Sequence, residues 1–240
     1  MNRKQLMQAL FGDTWKVEQE RGNFFAGTGR AGDDPIQVIG TDDATEVGVD
    51  LALAMAGAVL DTVRAHPGRP ILFLLDTQGQ RLRRRDELLG LNGYMAHLAK
   101  CVEIARSRGH RILSLVYGQA VSGGYLTTGM MADACYALAD AEIKVMNLPA
   151  MSRITKIPLE RLEALSQQSP VFSPGVGNYY RMGHLTEIWQ GDLAGHLRGA
   201  LADAGTSAVA AGADSRMARG LERGGRTRAY PVAERVRSGG

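Results

Sequence analysis

Cysteine is scarce: only Cys101 and Cys135 occur in 240 residues, each inside an apolar pattern and neither in a CxxC pair. A disulfide framework is therefore excluded as an organising feature, no metal site is expected, and both thiols read as small core residues. Long apolar runs are also missing. Nothing approaches the roughly 18 uninterrupted apolar residues of a membrane span, and the opening MNRKQLMQALFGDTW lacks both the apolar stretch and the cleavage signal of a secretory leader. A cytoplasmic protein with no membrane partner is expected. Nor is there a dominant charge: 28 Lys and Arg stand against 25 Asp and Glu, so no nucleic-acid partner is expected. The basic excess is local. Arg216, Arg219, Arg223, Arg226, Arg228, Arg235 and Arg237 face only Asp214, Glu222 and Glu234, which reads as a solvated, flexible tail over 206–240.

At this length, with 45% hydrophobic residues, the chain suits one α/β domain over 13–205, preceded by an amphipathic helix over 1–12. Residues 15–20, 23–28 and 36–41 read as hairpin strands joined by Gly-rich turns. Asp43 and Glu46 have the spacing of a helix start, and Val47, Leu51, Met55, Val59 and Val63 recur every four residues up to Pro67-Gly68. ILFLL at 71–75 is a strand buried on both faces. Asp86 caps a predicted helix running to Gly109, and RILSLVY at 111–117 is the next strand, with a helix over 125–131 after it. Short strands at 135–138 and 143–146, a helix from Pro158, a Pro/Gly loop over 169–177 and a helix over 192–204 complete the reading. The βαβα alternation implies a mainly parallel sheet, with the loops after Leu75 and Tyr117 at one carboxyl edge.

Those two loops carry the chemistry. Thr77-Gln78-Gly79-Gln80 and Ser122-Gly123-Gly124 face one another at that edge, and glycines let a substrate carbonyl approach backbone N–H groups. Each fixed donor aimed at a developing oxyanion is worth roughly 3 kcal/mol. Ser122 also suggests a nucleophile turn, similar to that of Clp-type serine peptidases. In that family the base is a His two residues before a Pro; here Asn147 stands before Pro149, and His184 is only a distant substitute. Gly27-Thr28-Gly29-Arg30-Ala31-Gly32 matches a dinucleotide fingerprint formally, yet Asp33-Asp34-Pro35 and a strand follow instead of a helix, so it reads as a hairpin. Tyr125 is a candidate proton donor or packing residue. Arg81, with Arg83, Arg84 and Arg85, is a candidate grip for a phosphate or carboxylate, or a solvated face.

The segment VYGQAVSGGYLTTGMMAD, with Gly183-x-Leu185-x-x-Ile188 downstream, resembles the crotonase and acyl-CoA carboxyltransferase superfamily. The stretch from Gly118 to Trp189, including VMNLPAMSRITKIP and SPVFSPGVGNYYRMGHLTEIW, is more closely similar to the gamma-subunit family of biotin-independent malonate decarboxylases. The resemblance implies a crotonase-like ββα superhelix in a single domain and a hetero-oligomer with a beta-type subunit. It also implies decarboxylation of a malonyl thioester on an acyl-carrier subunit, through a phosphopantetheine-type arm derived from dephospho-CoA. No cofactor is expected on this chain itself. By position, Gln80 with Gly79 matches one oxyanion donor site and Gly123 with Gly124 the other; Ser122, Tyr125 and Arg81 would border the substrate. The place of the hydratase acid/base Glu is taken by Tyr125-Leu126-Thr127, which argues against hydration. A serine hydrolase using Ser122 and a non-catalytic scaffold subunit are the competing readings.

Overall fold

The computed structural model describes residues 1–168, 175–203 and 215–239. Helix α1 (Arg3–Phe11) opens with a reciprocal cap, Asn2 Oδ1 accepting from the Gln5 N–H while Gln5 Oε1 accepts from the Asn2 N–H. The antiparallel strands β1 (Lys16–Arg21), β2 (Phe24–Ala31) and β3 (Asp34–Thr41) follow. The Gly27–Gly32 motif thus lies on β2 and its turn, with no helix after it. Next come β4 (Thr45–Val47), α2 (Val49–Ala65), β5 (Ile71–Gln80), α3 (Arg84–Leu88), α4 (Leu91–Ser107), β6 (Ile112–Val121) and α5 (Ser122–Leu126). The remainder comprises β7 (Ala134–Leu138), β8 (Glu142–Lys144), α6 (Leu148–Thr155), α7 (Leu159–Gln168), α8 (Val176–Arg181), β9 (Glu187–Trp189), α9 (Leu193–Ala202), α10 (Arg216–Glu222) and α11 (Tyr230–Arg237).

The sheet runs β1-β2-β3-β5-β6-β7-β9, parallel from β3 onward. Its long strands serve two sets of neighbours. The first halves of β5 and β6 pair with β3 and β7, and their second halves pair with the short strands β4 and β8. The change occurs where the β5/β6 register slips between Leu75 and Thr77, so each turn of the chain contributes a strand, a bent continuation and a helix. This is the crotonase-like ββα arrangement. Ile71 to Leu75 are fully buried, as their unbroken apolar run requires.

Several local expectations are corrected. Asp43 and Ala44 have φ of 54° and 45°, so the chain there is left-handed, and Asp43-x-x-Glu46 leads into β4 rather than into a helix. Helix α2 starts at Val49 after Gly48, which supplies no side-chain cap. Its cap comes from Asp86, 37 residues away, whose Oδ1 accepts from the Val49 N–H at 3.0 Å. Asp86 is therefore not the start of its own helix but a buried clamp inside α3, and left-handed Gly90 separates α3 from α4. The helix expected over 125–131 is only Ser122–Leu126, because Thr127, Thr128 and Gly129 are poor helix formers and both hydroxyls bond back to the carbonyls of Gly123 and Gly124. The expected loop at 169–177 lies largely outside the described residues, and Val176 already begins α8. The helix expected over 192–204 is α9, which ends at Ala202 with Asp203 already extended.

The first part of the basic segment, 216–226, docks on the domain, while the residues after it, 227–239, are mostly exposed, as the expected solvated tail would be. Arg223 donates to the carbonyls of Tyr180, Leu185 and Thr186 and stacks on the Tyr180 ring, and Arg226 donates to Met182 O. Arg216 and Arg219 reach Met130 O and Thr186 Oγ1. Backbone also meets backbone: a Cβ on Gly225 would run into the Arg181 carbonyl, and one on Gly220 into that of Met182. Among the described residues, no helix is long and apolar enough to cross a membrane.

The Asp86 carboxylate also accepts from Arg81 Nε and Nη2, at 3.0 and 2.9 Å, and the Arg81 hydrogen bond holds its carboxyl below the usual range. Removing a clamp that leaves Arg81 and the Val49 N–H without their partner, as in Asp86→Ala, is expected to cost about 3 kcal/mol in urea unfolding. A depressed native pKa adds stability that is present above the unfolded carboxyl pKa and lost as pH falls through the native one. The wild type minus Asp86→Asn difference should therefore shrink below about pH 4, which unfolding titrations across acidic pH will check.

Candidate active site

The two loops read from the sequence are continuations of strands β5 and β6, bent together at the sheet's carboxyl edge. Asp76 ties them to their surroundings: its Oδ1 accepts from the Gln119 N–H at 2.8 Å and its Oδ2 from the Ala44 N–H at 3.0 Å. Gly118 is bare because a Cβ there would collide with the Asp76 carboxylate. Beyond it, a Cβ on Gly124 would sit 2.9 Å from Thr77 Oγ1 and 3.0 Å from Gly79 Cα, and one on Gly79 would be 2.8 Å from Val121 O. Gly79 has φ of 96°, a conformation that suits only glycine.

Around these glycines the backbone donors point in different directions. The Gly79 N–H donates to Thr77 Oγ1 at 3.0 Å, and that hydroxyl donates to Thr45 O at 2.7 Å. The Arg81 N–H donates to Val47 O on the β4 side at 2.9 Å. The Gly123 N–H, near the start of α5, holds the Gln80 side-chain carbonyl: Oε1 accepts from it at 2.8 Å. Gln80 and Gly123 are thus brought together, with Gly79 and Gly124 as the glycines that permit the approach.

The remaining candidates separate. Ser122 follows β6 with φ of 47°, a left-handed strain rare outside glycine and reminiscent of a nucleophile turn. No described histidine supplies it with a base: His97 meets Cys101, His110 meets Arg69 O, and His196 stacks on Trp189. His184 is hydrogen-bonded through Nε2 to the Tyr125 hydroxyl, while His66 lies beyond the far end of α2. Asn147 serves as the cap of α6, its Oδ1 accepting from the Ala150 N–H. Tyr125 turns inward, 2% exposed, with its hydroxyl between His184 and Cys135 Sγ; burial pushes both the phenol and the thiol up. It packs beneath the turn instead of facing a substrate. Arg81 is committed to Asp86, and Arg83 and Arg85 pair with Glu46 and Asp50.

Sequence reasoning missed the clamps Asp76 and Asp86, whose partners are backbone N–H groups remote in sequence. The one available signal was an acidic residue at the end of an otherwise apolar strand. Exposed Leu82, Leu88 and Leu89 flank the site on and beside α3, and Leu126 follows on α5.

Comparison with known proteins bears on the family and the fold. The family profile of the malonate decarboxylase gamma subunit matches residues 42–240. A malonyl-S-ACP:biotin-protein carboxyltransferase of Malonomonas rubra is 33% identical over 182 residues, 68% of this chain, and the chain spans 62% of that relative's length. Among solved structures, a chain of a Pseudomonas malonate decarboxylase hetero-tetramer in complex with coenzyme A has a TM-score of 0.78 at 23% identity, with 98% of each chain covered. Transcarboxylase 12S, with hydrolysed methylmalonyl-coenzyme A bound, has a TM-score of 0.71 at 16% identity, covering 83% of this chain and 41% of the other. At these identities the two structures establish the fold.

Two substitutions probe the backbone. Gly124→Ala, which drives a methyl against Thr77 and the Gly79 backbone, should destabilise by about 1–3 kcal/mol. Ser122→Gly, which relieves the left-handed strain, should raise stability by about 1 kcal/mol. Thermal unfolding of both variants measures the pair.

Proposed function

The chain belongs to the malonate decarboxylase gamma-subunit family, and we propose that it forms half of a malonyl-thioester decarboxylase, active only in complex with a beta-type subunit. The substrate is a malonyl group on an acyl-carrier subunit, held through a phosphopantetheine-type arm derived from dephospho-CoA. The products are the acetyl thioester and CO2. The observation that carries this reading is the Gly123 N–H with a carbonyl oxygen already 2.8 Å from it, in a turn that glycines hold against β5. That Gln80 oxygen stands where a substrate oxygen would lie, and the Gln80 carboxamide gives way when substrate enters. The names of the Malonomonas relative and the Pseudomonas assembly support a malonyl thioester and a hetero-oligomer.

Chemically, the bond between the malonyl α-carbon and its carboxylate breaks, and its electron pair moves into an enolate whose charge rests on the thioester oxygen. CO2 departs and the α-carbon then takes a proton. Preorganised donors stabilise that charge more than they stabilise the ground state, and so lower the barrier without a covalent nucleophile. The Gln80 and Gly123 N–H groups act on an oxygen of the reacting group. Asp76 and Asp86 act indirectly, by holding the strands that carry these donors.

A second reading follows from the Malonomonas relative, whose name specifies carboxyl transfer to a biotin protein. Conversion of malonyl to acetyl thioester on the carrier, by the chain mixed with its beta-type partner, separates the two: decarboxylation should proceed unchanged with avidin present, whereas transfer to biotin would be blocked. The chain alone should be inactive. Gly123→Pro, lacking the N–H, should lower kcat by about 10²-fold, provided that its thermal unfolding matches that of wild type. Ser122→Ala should keep most activity; its complete loss would return the site to serine hydrolysis. Full activity in both variants of an intact complex would leave the scaffold reading.

A further inference from the structure

We propose that the cavity between α8 and the C-terminal helices is a binding site for a small amphiphilic anion, a carboxylate or phosphate head on a short apolar body. The cavity measures about 360 Å³ and is bounded by Met130, Met182, Met217, His184 and the arginines 216, 226 and 237. That volume is at the lower end of small-molecule sites, about 300–1,000 Å³. Charge sets the ligand's sign. Arg226 spends Nε on the Met182 carbonyl, an interaction that orients the guanidinium but leaves its full positive charge in place. Neighbouring Arg223 does the same with three carbonyls. Among the described residues, no acidic side chain lines the cavity. Half-buried guanidinium groups on a partly apolar wall gain from an oxyanion with two or three acceptor oxygens, the geometry they hold bidentately.

The methionines set the body of the ligand. Their thioether side chains give the cavity adaptable apolar lining beside the arginines, which suits a short alkyl or thioalkyl chain better than a fully hydrated ion. The cavity is also independent of the proposed decarboxylation, since its lining contains none of Gln80, Ser122, Gly123 or Gly124. It touches the support of that site through His184, which is hydrogen-bonded to the Tyr125 hydroxyl beneath α5, and through Met130, whose N–H donates to Tyr125 O at 3.2 Å.

Isothermal titration calorimetry of the 240-residue chain tests this with hexanoate, hexyl phosphate, inorganic phosphate and hexanol as probes. At least one of the two amphiphilic anions should bind with millimolar affinity or better, and which of them is tighter identifies the head group. Hexanol and inorganic phosphate should each bind at least about tenfold more weakly. Arg237→Gln, at an exposed position on the rim, should weaken the binding about fivefold without changing thermal unfolding. Met217→Glu, which adds a carboxylate to the apolar part of the lining beside the arginines, should abolish it. Failure of both amphiphilic anions to bind overturns the proposal. So does affinity that is unchanged in the two variants, or inorganic phosphate binding as tightly as either amphiphile.

Discussion

The site depends on how closely the ends of β5 and β6 approach one another. In an ordinary parallel sheet, side chains would hold the loops after these strands apart. Here Gly79, Gly118 and Gly124 remove the Cβ atoms that would meet Val121 O, the Asp76 carboxylate and the Gly79 backbone. A single carboxylate, Asp76, then fastens both sides by accepting the N–H groups of Gln119 and Ala44. Glycine supplies the room and Asp76 the fixed distance, and the contact between Gln80 and Gly123 inherits its position from both.

Asp86 has the corresponding role in the next layer outward. It stands in for the missing cap of α2 and neutralises Arg81, so the segment after the first donor loop is tied to the helix that packs on α4. Tyr125 anchors the other loop from below, through His184 and Cys135. The candidate catalytic turn is therefore held by polar groups on three sides, half-buried Asp76 and buried Asp86 and Tyr125. Unlike apolar packing, such bonds have direction, and oriented N–H donors require direction from their supports.

Much of this is legible in the sequence, for identifiable reasons. The 71–75 run, the hairpins and the amphipathic helices follow hydrophobic periodicity, and the family likeness extends over residues 42–240. The departures share one cause. Local spacing suggests a role for each of Asp43, Asp86, Tyr125 and Arg81, and the first three have another because the partner is distant in sequence: β5 for the segment after Asp43, Val49 for Asp86, His184 for Tyr125. For Arg81 the partner is only five residues away, yet it belongs to a helix that starts ahead of the position its spacing suggests.

The sequence by itself determined that the chain is an α/β domain with two facing glycine-bearing turns, because burial periodicity and the steric needs of those turns are properties of local residue order. It also determined the family. Only the tertiary structure decided which N–H groups are already satisfied and by what, that the basic end docks against α8, and that its arginines line a cavity. Those outcomes depend on contacts between segments many residues apart, where a hydrogen bond formed or withheld is set by the meeting of two surfaces and leaves no periodic trace in either.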